Sequence, residues 1–166
     1  MVYFNRILIP TDMSPFSLVA LEHAASLRLL YSSSLYMLYV GEETPPLLAL
    51  HNAEFGTPEY KERLLQGFRN DLVAFAAKNV PDDIKITPVV RLGNPADEIK
   101  RLAQEEGIDL VVMATHGRTG FKHILMGSVA EKVVRLSNIP VLTVKPRPVQ
   151  ETLLEQKDVE SELHLR

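Results

Sequence analysis

Residues 110–136 read L-V-V-M-A-T-H-G-R-T-G-F-K-H-I-L-M-G-S-V-A-E-K-V-V-R-L. Leu110 to Ala114 is apolar at every position, as expected of a strand in a parallel sheet covered on both faces. Val129, Val133, Val134 and Leu136 recur at helical spacing and predict a short helix. Gly117, Gly120 and Gly127, three of the chain's eight glycines, lie between the two. A strand that passes into a helix through glycines is half of a βαβ unit, so the rest of the chain decides whether that unit repeats.

It does, on both sides. Upstream, Ile7-Leu8-Ile9 ended by Pro10 predicts a strand, and Ser14-Pro15 predicts a helix start with serine as cap and proline at the first helical position. That helix carries Leu18, Leu21, Ala24, Ala25 and Leu29 as its apolar stripe. Leu35–Val40 predicts a second strand, and the irregular stretch 41–57 precedes a helix opened by Thr57-Pro58. Tyr60, Leu64, Leu65, Phe68, Leu72, Phe75 and Ala76 form its buried face. Ile84–Val90 is a third strand whose Pro88, lacking an N–H, suits an edge. Asn94 caps the next helix, which buries Ile99, Leu102 and Ala103 and stops at Gly107. Downstream, Pro140–Val144 is the fifth strand. Strands separated by helices, joined by right-handed crossovers, give an α/β fold: an open, five-stranded parallel sheet in three layers, with helices on both faces.

Composition narrows the function. The 166 residues suit one domain, and 46% hydrophobic content suffices for its core. A net charge of −3 argues against a general nucleic-acid binder. Zero cysteines exclude disulfides and thiol chemistry. The first ten residues show no signal-peptide pattern, and no apolar run is long enough to span a membrane. We expect a cytoplasmic protein with no membrane or nucleic-acid partner. Residues 147–166 follow the last strand, are rich in Glu and Gln, and read as a tail.

In an open parallel sheet, ligands bind beyond the carboxyl ends of strands, which is where residues 115–128 fall. Glycine lets backbone N–H groups approach a ligand, and a helix starting near Gly127-Ser128 presents unpaired N–H groups and the positive end of its dipole. Both favour phosphate. The spacing matches neither the P-loop nor the dinucleotide fingerprint.

Ala114-Thr-His-Gly117, nine residues, then Gly127-Ser128 resembles the universal stress protein family, whose nucleotide-binding members carry G-x-x-G-x9-G-[ST]. Ala114 stands where that motif has its first glycine. The resemblance covers residues 4–146: R-I-L-I-P-T-D-M-S from Arg6, V-R-L-G-N-P-A-D-E-I from Val90 and I-P-V-L-T-V from Ile139 are all close to the family's wording. It implies a Rossmann-like sheet of the adenine nucleotide alpha hydrolase-like type, with strand order 3-2-1-4-5, as a domain over residues 1–146. It also implies a stress-response module that binds ATP, ADP or AMP, with Mg or Mn bridging the phosphates and no metal site built from protein groups alone. The alternatives are a member that binds no nucleotide and acts through protein association, and a slow ATP hydrolase.

Carried over by position, the nucleotide site comprises Pro10, Thr11, Asp12, Val40, Met113, Ala114, His116, Gly117, Gly127, Ser128, Val129 and Ala130. Asp12 suits ribose hydroxyls or an adenine amino group; it equally suits a cap for the helix near Ser14. The backbone of Val40 would meet adenine, His116 and Gly117 would approach the ribose or α-phosphate, and Gly127 to Ala130 would cradle phosphate. Arg118 and Lys122 could reach the terminal phosphate. No catalytic residue stands out, and His116 is the nearest candidate for acid–base chemistry. The resemblance further implies a homodimer through the last strand, Val141, Leu142, Thr143 and Val144.

Overall fold

The computed structural model describes residues 3–42, 57–81, 83–116 and 126–145. Five strands form one sheet in the order β3-β2-β1-β4-β5, with every pairing parallel. In chain order the elements are β1 (Arg6–Pro10), a short 3-10 turn (Pro15–Ser17), α1 (Leu18–Tyr31), β2 (Ser34–Gly41), α2 (Pro58–Asn79), β3 (Ile86–Leu92), α3 (Pro95–Glu105), β4 (Leu110–Ala114), α4 (Ser128–Leu136) and β5 (Val141–Val144).

Alternation along the strands makes two cores. Ile7, Ile9, Leu35, Met37, Leu110 and Val112 face α1 and α2, meeting Ala20, Leu21, Ala24 and Leu72. Leu8, Leu38, Val111 and Met113 face α3 and α4, meeting Ala96, Ile99, Leu102, Ala130 and Val133. Each fully buried aliphatic side chain contributes about 1.5–3 kcal/mol, so both faces of the central strands stabilise the sheet.

Several local expectations shift. Ser14 is buried and precedes the 3-10 turn, yet its side chain makes no cap bond; its Oγ donates to Asp12 Oδ1 at 2.6 Å instead. Asn94 does cap α3, its Oδ1 accepting from the N–H groups of Ala96 (3.1 Å) and Asp97 (3.4 Å), and Thr57 caps α2 through Tyr60 N–H. Leu29 is 77% exposed. It lies five residues past the buried Ala24, about 140° around the helix, so it falls off the stripe. The third strand runs two residues later than expected, because Ile84 N–H donates to Pro81 O in the turn after α2. The even offset preserves which residues face which core. Pro88 lies on the edge strand, opposite Met37. Gly107, with φ +59°, ends α3, and Gly93, with φ +137°, makes the turn into it.

Among the described residues, no helix is long and apolar enough to cross a membrane.

Candidate nucleotide site

β1 pairs with β2 along all five of its residues but with β4 at Ile7–Leu110 and Leu8–Val111, near the amino ends of both strands. Chain order reverses between β1 and β4, and at such a switch point the connections leave in opposite directions. A cleft of about 620 Å³ opens there. That volume lies within the range that encloses small ligands.

The loop after β1 forms one wall. Thr11 N–H donates to Leu38 O at 2.8 Å, continuing the β1–β2 ladder. Met13 N–H donates to Thr11 Oγ1 (2.9 Å), Thr11 Oγ1 lies 2.8 Å from Ser17 Oγ, and Ser17 Oγ donates to Ser14 O (2.8 Å). Because the Ser17 proton goes to Ser14, the Thr11 hydroxyl donates to Ser17 and the chain of bonds runs one way. Asp12 Oδ1 accepts from Ser14 N–H (3.0 Å) and from the Ser14 hydroxyl. Its carboxylate therefore fixes the turn and also lines the cleft, so the two uses open to it from the sequence do not exclude each other. Met13, at φ +59°, takes up the backbone strain of this tight exit.

The opposite wall is the end of β4 and the start of α4. Thr115 N–H donates to Val144 O (2.9 Å), tying the strand's exit to β5, and Gly127 N–H donates to Thr115 O (2.7 Å). This last bond draws the start of α4 back to the end of β4. It also explains the glycine, since a Cβ at 127 would meet Thr115 O at 3.2 Å. Gly127 is the N-cap residue, so Ser128, Val129 and Ala130 occupy the first helical positions, where N–H groups have no carbonyl one turn back. All three residues line the cleft, Ser128 exposed and Ala130 buried. His116 lines it too, with Nδ1 2.9 Å from Thr115 Oγ1.

Of the residues expected at the site, Pro10, Thr11, Asp12, Val40, Met113, Ala114, His116, Gly127, Ser128, Val129 and Ala130 all line this one cleft. Gly117, Arg118 and Lys122 lie outside the described residues, as does the tail 147–166. One expected role changes. The Gly127 N–H is spent on Thr115, so Gly127 serves by lacking a side chain and the open amides are those of Ser128, Val129 and Ala130.

The sequence reading also missed Ser17, Leu38, Tyr39, Glu42, Phe68, Pro95, Ile99 and Thr115, which share the lining. Phe68 and Ile99 belong to helical stripes that read as core. Phe68 reaches the cleft because Gly41 leaves room: a Cβ at 41 would sit 2.4 Å from its ring. The smallness of Gly41 beside Val40 was the one available signal.

Among the described residues no group of three or more His, Asp or Glu side chains could hold a metal ion.

Comparison with known proteins agrees with this architecture. The model of the universal stress protein family matches residues 4–145. The chain belongs to the universal stress protein family. It is 32% identical over 157 residues to universal stress protein MJ0577 of Methanocaldococcus jannaschii, covering 87% of this chain and 96% of that one. The solved structure of MJ0577 superposes with a TM-score of 0.73 over 88% of this chain and 99% of its own. Two more distant members share the fold. One is a universal stress protein in complex with cAMP (24% identity, TM-score 0.55, 87% of this chain and 98% of that one). The other is the Archaeoglobus fulgidus universal stress protein in complex with dAMP (19% identity, TM-score 0.57, 87% and 100%).

Proposed function

We propose that this chain binds an adenine nucleotide, ATP or its shorter relatives ADP and AMP, in the β1–β4 cleft and acts as a nucleotide-dependent module of the stress response. One observation carries the reading: the two ends of the cleft have opposite chemistry. Three helix-start amides, those of Ser128, Val129 and Ala130, open onto one side. The carboxylates of Asp12 and Glu42 lie at the carboxyl ends of β1 and β2. A phosphate chain is attracted by amides and a helix dipole and repelled by carboxylates, so a nucleotide has one favourable direction of entry. Phosphate goes to α4, with the Ser128 hydroxyl beside it, and the nucleoside goes to Pro10, Thr11, Asp12 and Val40. Met113, Ala114 and His116 line the sugar between them. Gly117, Arg118 and Lys122 extend the phosphate side in this reading. Mg or Mn, when bound, bridges phosphate oxygens and is not seated in a protein cage. The cAMP and dAMP carried by two proteins of the same fold are ligands of the same chemical kind.

The proposed role is binding, with ATP turnover below roughly one per second. Two titratable groups of the cleft are already engaged: Asp12 holds the Ser14 turn and His116 meets Thr115. The domain in this reading spans 1–146, with 147–166 as a tail, in a cytoplasmic setting. A second copy pairs along β5, the edge strand that carries neither proline nor charge and leaves Leu142 38% exposed. Leu142→Lys should convert dimer to monomer by light scattering, and a wild type that is already monomeric removes the pairing.

Thermal melting with Mg-ATP tests the site. Ligand at about one hundred times its dissociation constant stabilises by about 2.7 kcal/mol, a rise of roughly 5–10 °C for a chain of this size. Ser128→Asp should abolish the rise while leaving the ligand-free melt equal or higher, because an acid at a helix start stabilises the helix by about 0.3–1 kcal/mol and repels phosphate. A wild type that ATP does not stabilise leaves the family member without nucleotide, acting through protein association, as the better reading.

A further inference from the structure

Glu42 follows the last residue of β2 and lines the cleft, two positions beyond Val40, which lines it too. Its mounting is rigid. The preceding residue, Gly41, is buried and accepts a hydrogen bond from Gly93 N–H (3.0 Å). It is packed closely by the Phe68 ring and Leu92, so a Cβ there would force the ring to shift. Phe68 is itself held against Tyr39, with ring centroids 5.1 Å apart, and lines the same end of the cleft. The Glu42 carboxylate has no hydrogen-bond or ion-pair partner among the described residues. Asp12 differs, since its Oδ1 already accepts twice from Ser14.

We propose that Glu42 selects the base: its carboxylate accepts the exocyclic amino group of a 6-aminopurine whose ring lies beside Val40 and Phe68. This rests on the nucleotide reading above and names a residue that decides which nucleotide enters. An ionised carboxylate accepts hydrogen bonds and cannot donate one. A 6-amino group offers it two donors. A 6-oxo group sets a second acceptor against it and leaves both unpaired, a loss comparable to one hydrogen bond to a charged group. Gly41 and Phe68 act as positioning residues, because they hold the backbone from which the Glu42 side chain extends.

The test compares Mg-ATP, Mg-ITP and inorganic triphosphate by calorimetry on the full chain and on Glu42→Gln. ITP differs from ATP at the base alone, carrying oxygen where ATP carries the amino group and N1–H where ATP has a bare N1. Wild type should prefer ATP over ITP by about 10- to 100-fold. Glu42→Gln, whose amide both donates and accepts, should bring the two within about threefold, with triphosphate affinity unchanged or slightly tighter. Glu42 is exposed, so the variant should fold, and its ligand-free melt confirms this. A wild type that binds ATP and ITP alike, or a preference that survives in the variant, overturns the role of Glu42 and leaves nucleotide binding standing. A wild type that binds none of the three overturns the nucleotide reading itself.

Discussion

The two ends of the cleft solve opposite problems with different parts of the chain. At the α4 end the groups proposed to bind are backbone amides, and side chains matter by being small: glycine at 127 allows the bond to Thr115 O, and Ala130 turns its methyl into the core. At the β1–β2 end the working groups are side chains, and most are committed to one another before any ligand arrives, through the Met13–Thr11–Ser17–Ser14 chain and the Asp12–Ser14 turn. An amide end is built by secondary structure and needs one helix start. A side-chain end is built by loops and needs several residues locked in place. Substitutions should therefore act in different currencies at the two ends.

The largest effect belongs to Gly127→Val. Its Cβ would stand 3.2 Å from the Thr115 carbonyl oxygen, so the backbone there must give by a few tenths of an ångström. The ligand-free melt should fall with a cost of about 1–3 kcal/mol, roughly 3–10 °C, and the ATP-dependent rise should vanish. An unchanged ligand-free melt would mean that the α4 start can move, and the contrast with the locked loop would fail.

Asp12 should separate its two uses. Asp12→Asn keeps an oxygen for the Ser14 turn and removes the charge, so the melt should hold while ATP affinity drops about tenfold. Asp12→Ala should lose the turn as well, at about 1 kcal/mol. Inorganic triphosphate should bind both variants as well as it binds wild type; weaker triphosphate binding would put Asp12 at the phosphate end.

The smallest effect lies away from both ends. Arg91 on β3 donates to the exposed Glu105 and pairs with the buried Glu98 (3.5 Å), which also meets Arg101 (2.7 Å). The hydrogen bond from Arg91 holds the Glu105 carboxyl below the ordinary carboxylate range. A lowered folded-state value adds stability above the unfolded value of about 4.3 and loses it as pH falls through the folded one. Glu105→Gln should therefore melt slightly below wild type at neutral pH, and the gap should close in acid. The ATP-dependent rise should be unchanged throughout, which makes the variant a control for the cleft.

The same contrast explains what the sequence reveals. The parallel sheet and its covering helices follow from short apolar runs, helical stripes, and prolines and glycines at element ends, features that act locally; the strand order 3-2-1-4-5 follows from the family resemblance instead. The amide end is legible for a related reason: Ala114, Gly117, Gly127 and Ser128 stand at fixed spacing in one crossing. The side-chain end is scattered over β1, β2 and α2. Phe68 sits in an ordinary helical stripe, Glu42 begins an irregular stretch, and nothing in their spacing announces that Gly41 brings them together. Ser14 misled for the opposite reason: a serine before proline predicts a cap, but the nearby Asp12 carboxylate is a stronger acceptor for its hydroxyl than the helix is a donor to it.

Backbone amide NMR during an ATP titration tests the central claim most directly. The starts of α4 at Ser128 and of α3 at Pro95 both border the cleft, and Asn94 already occupies the amides of Ala96 and Asp97. The amide signals of Ser128, Val129 and Ala130 should move to saturation together, while those of Ala96 and Asp97 stay nearly still. Signals at α4 that remain fixed while ATP is demonstrably bound, or that yield to movement at α3, would contradict the account.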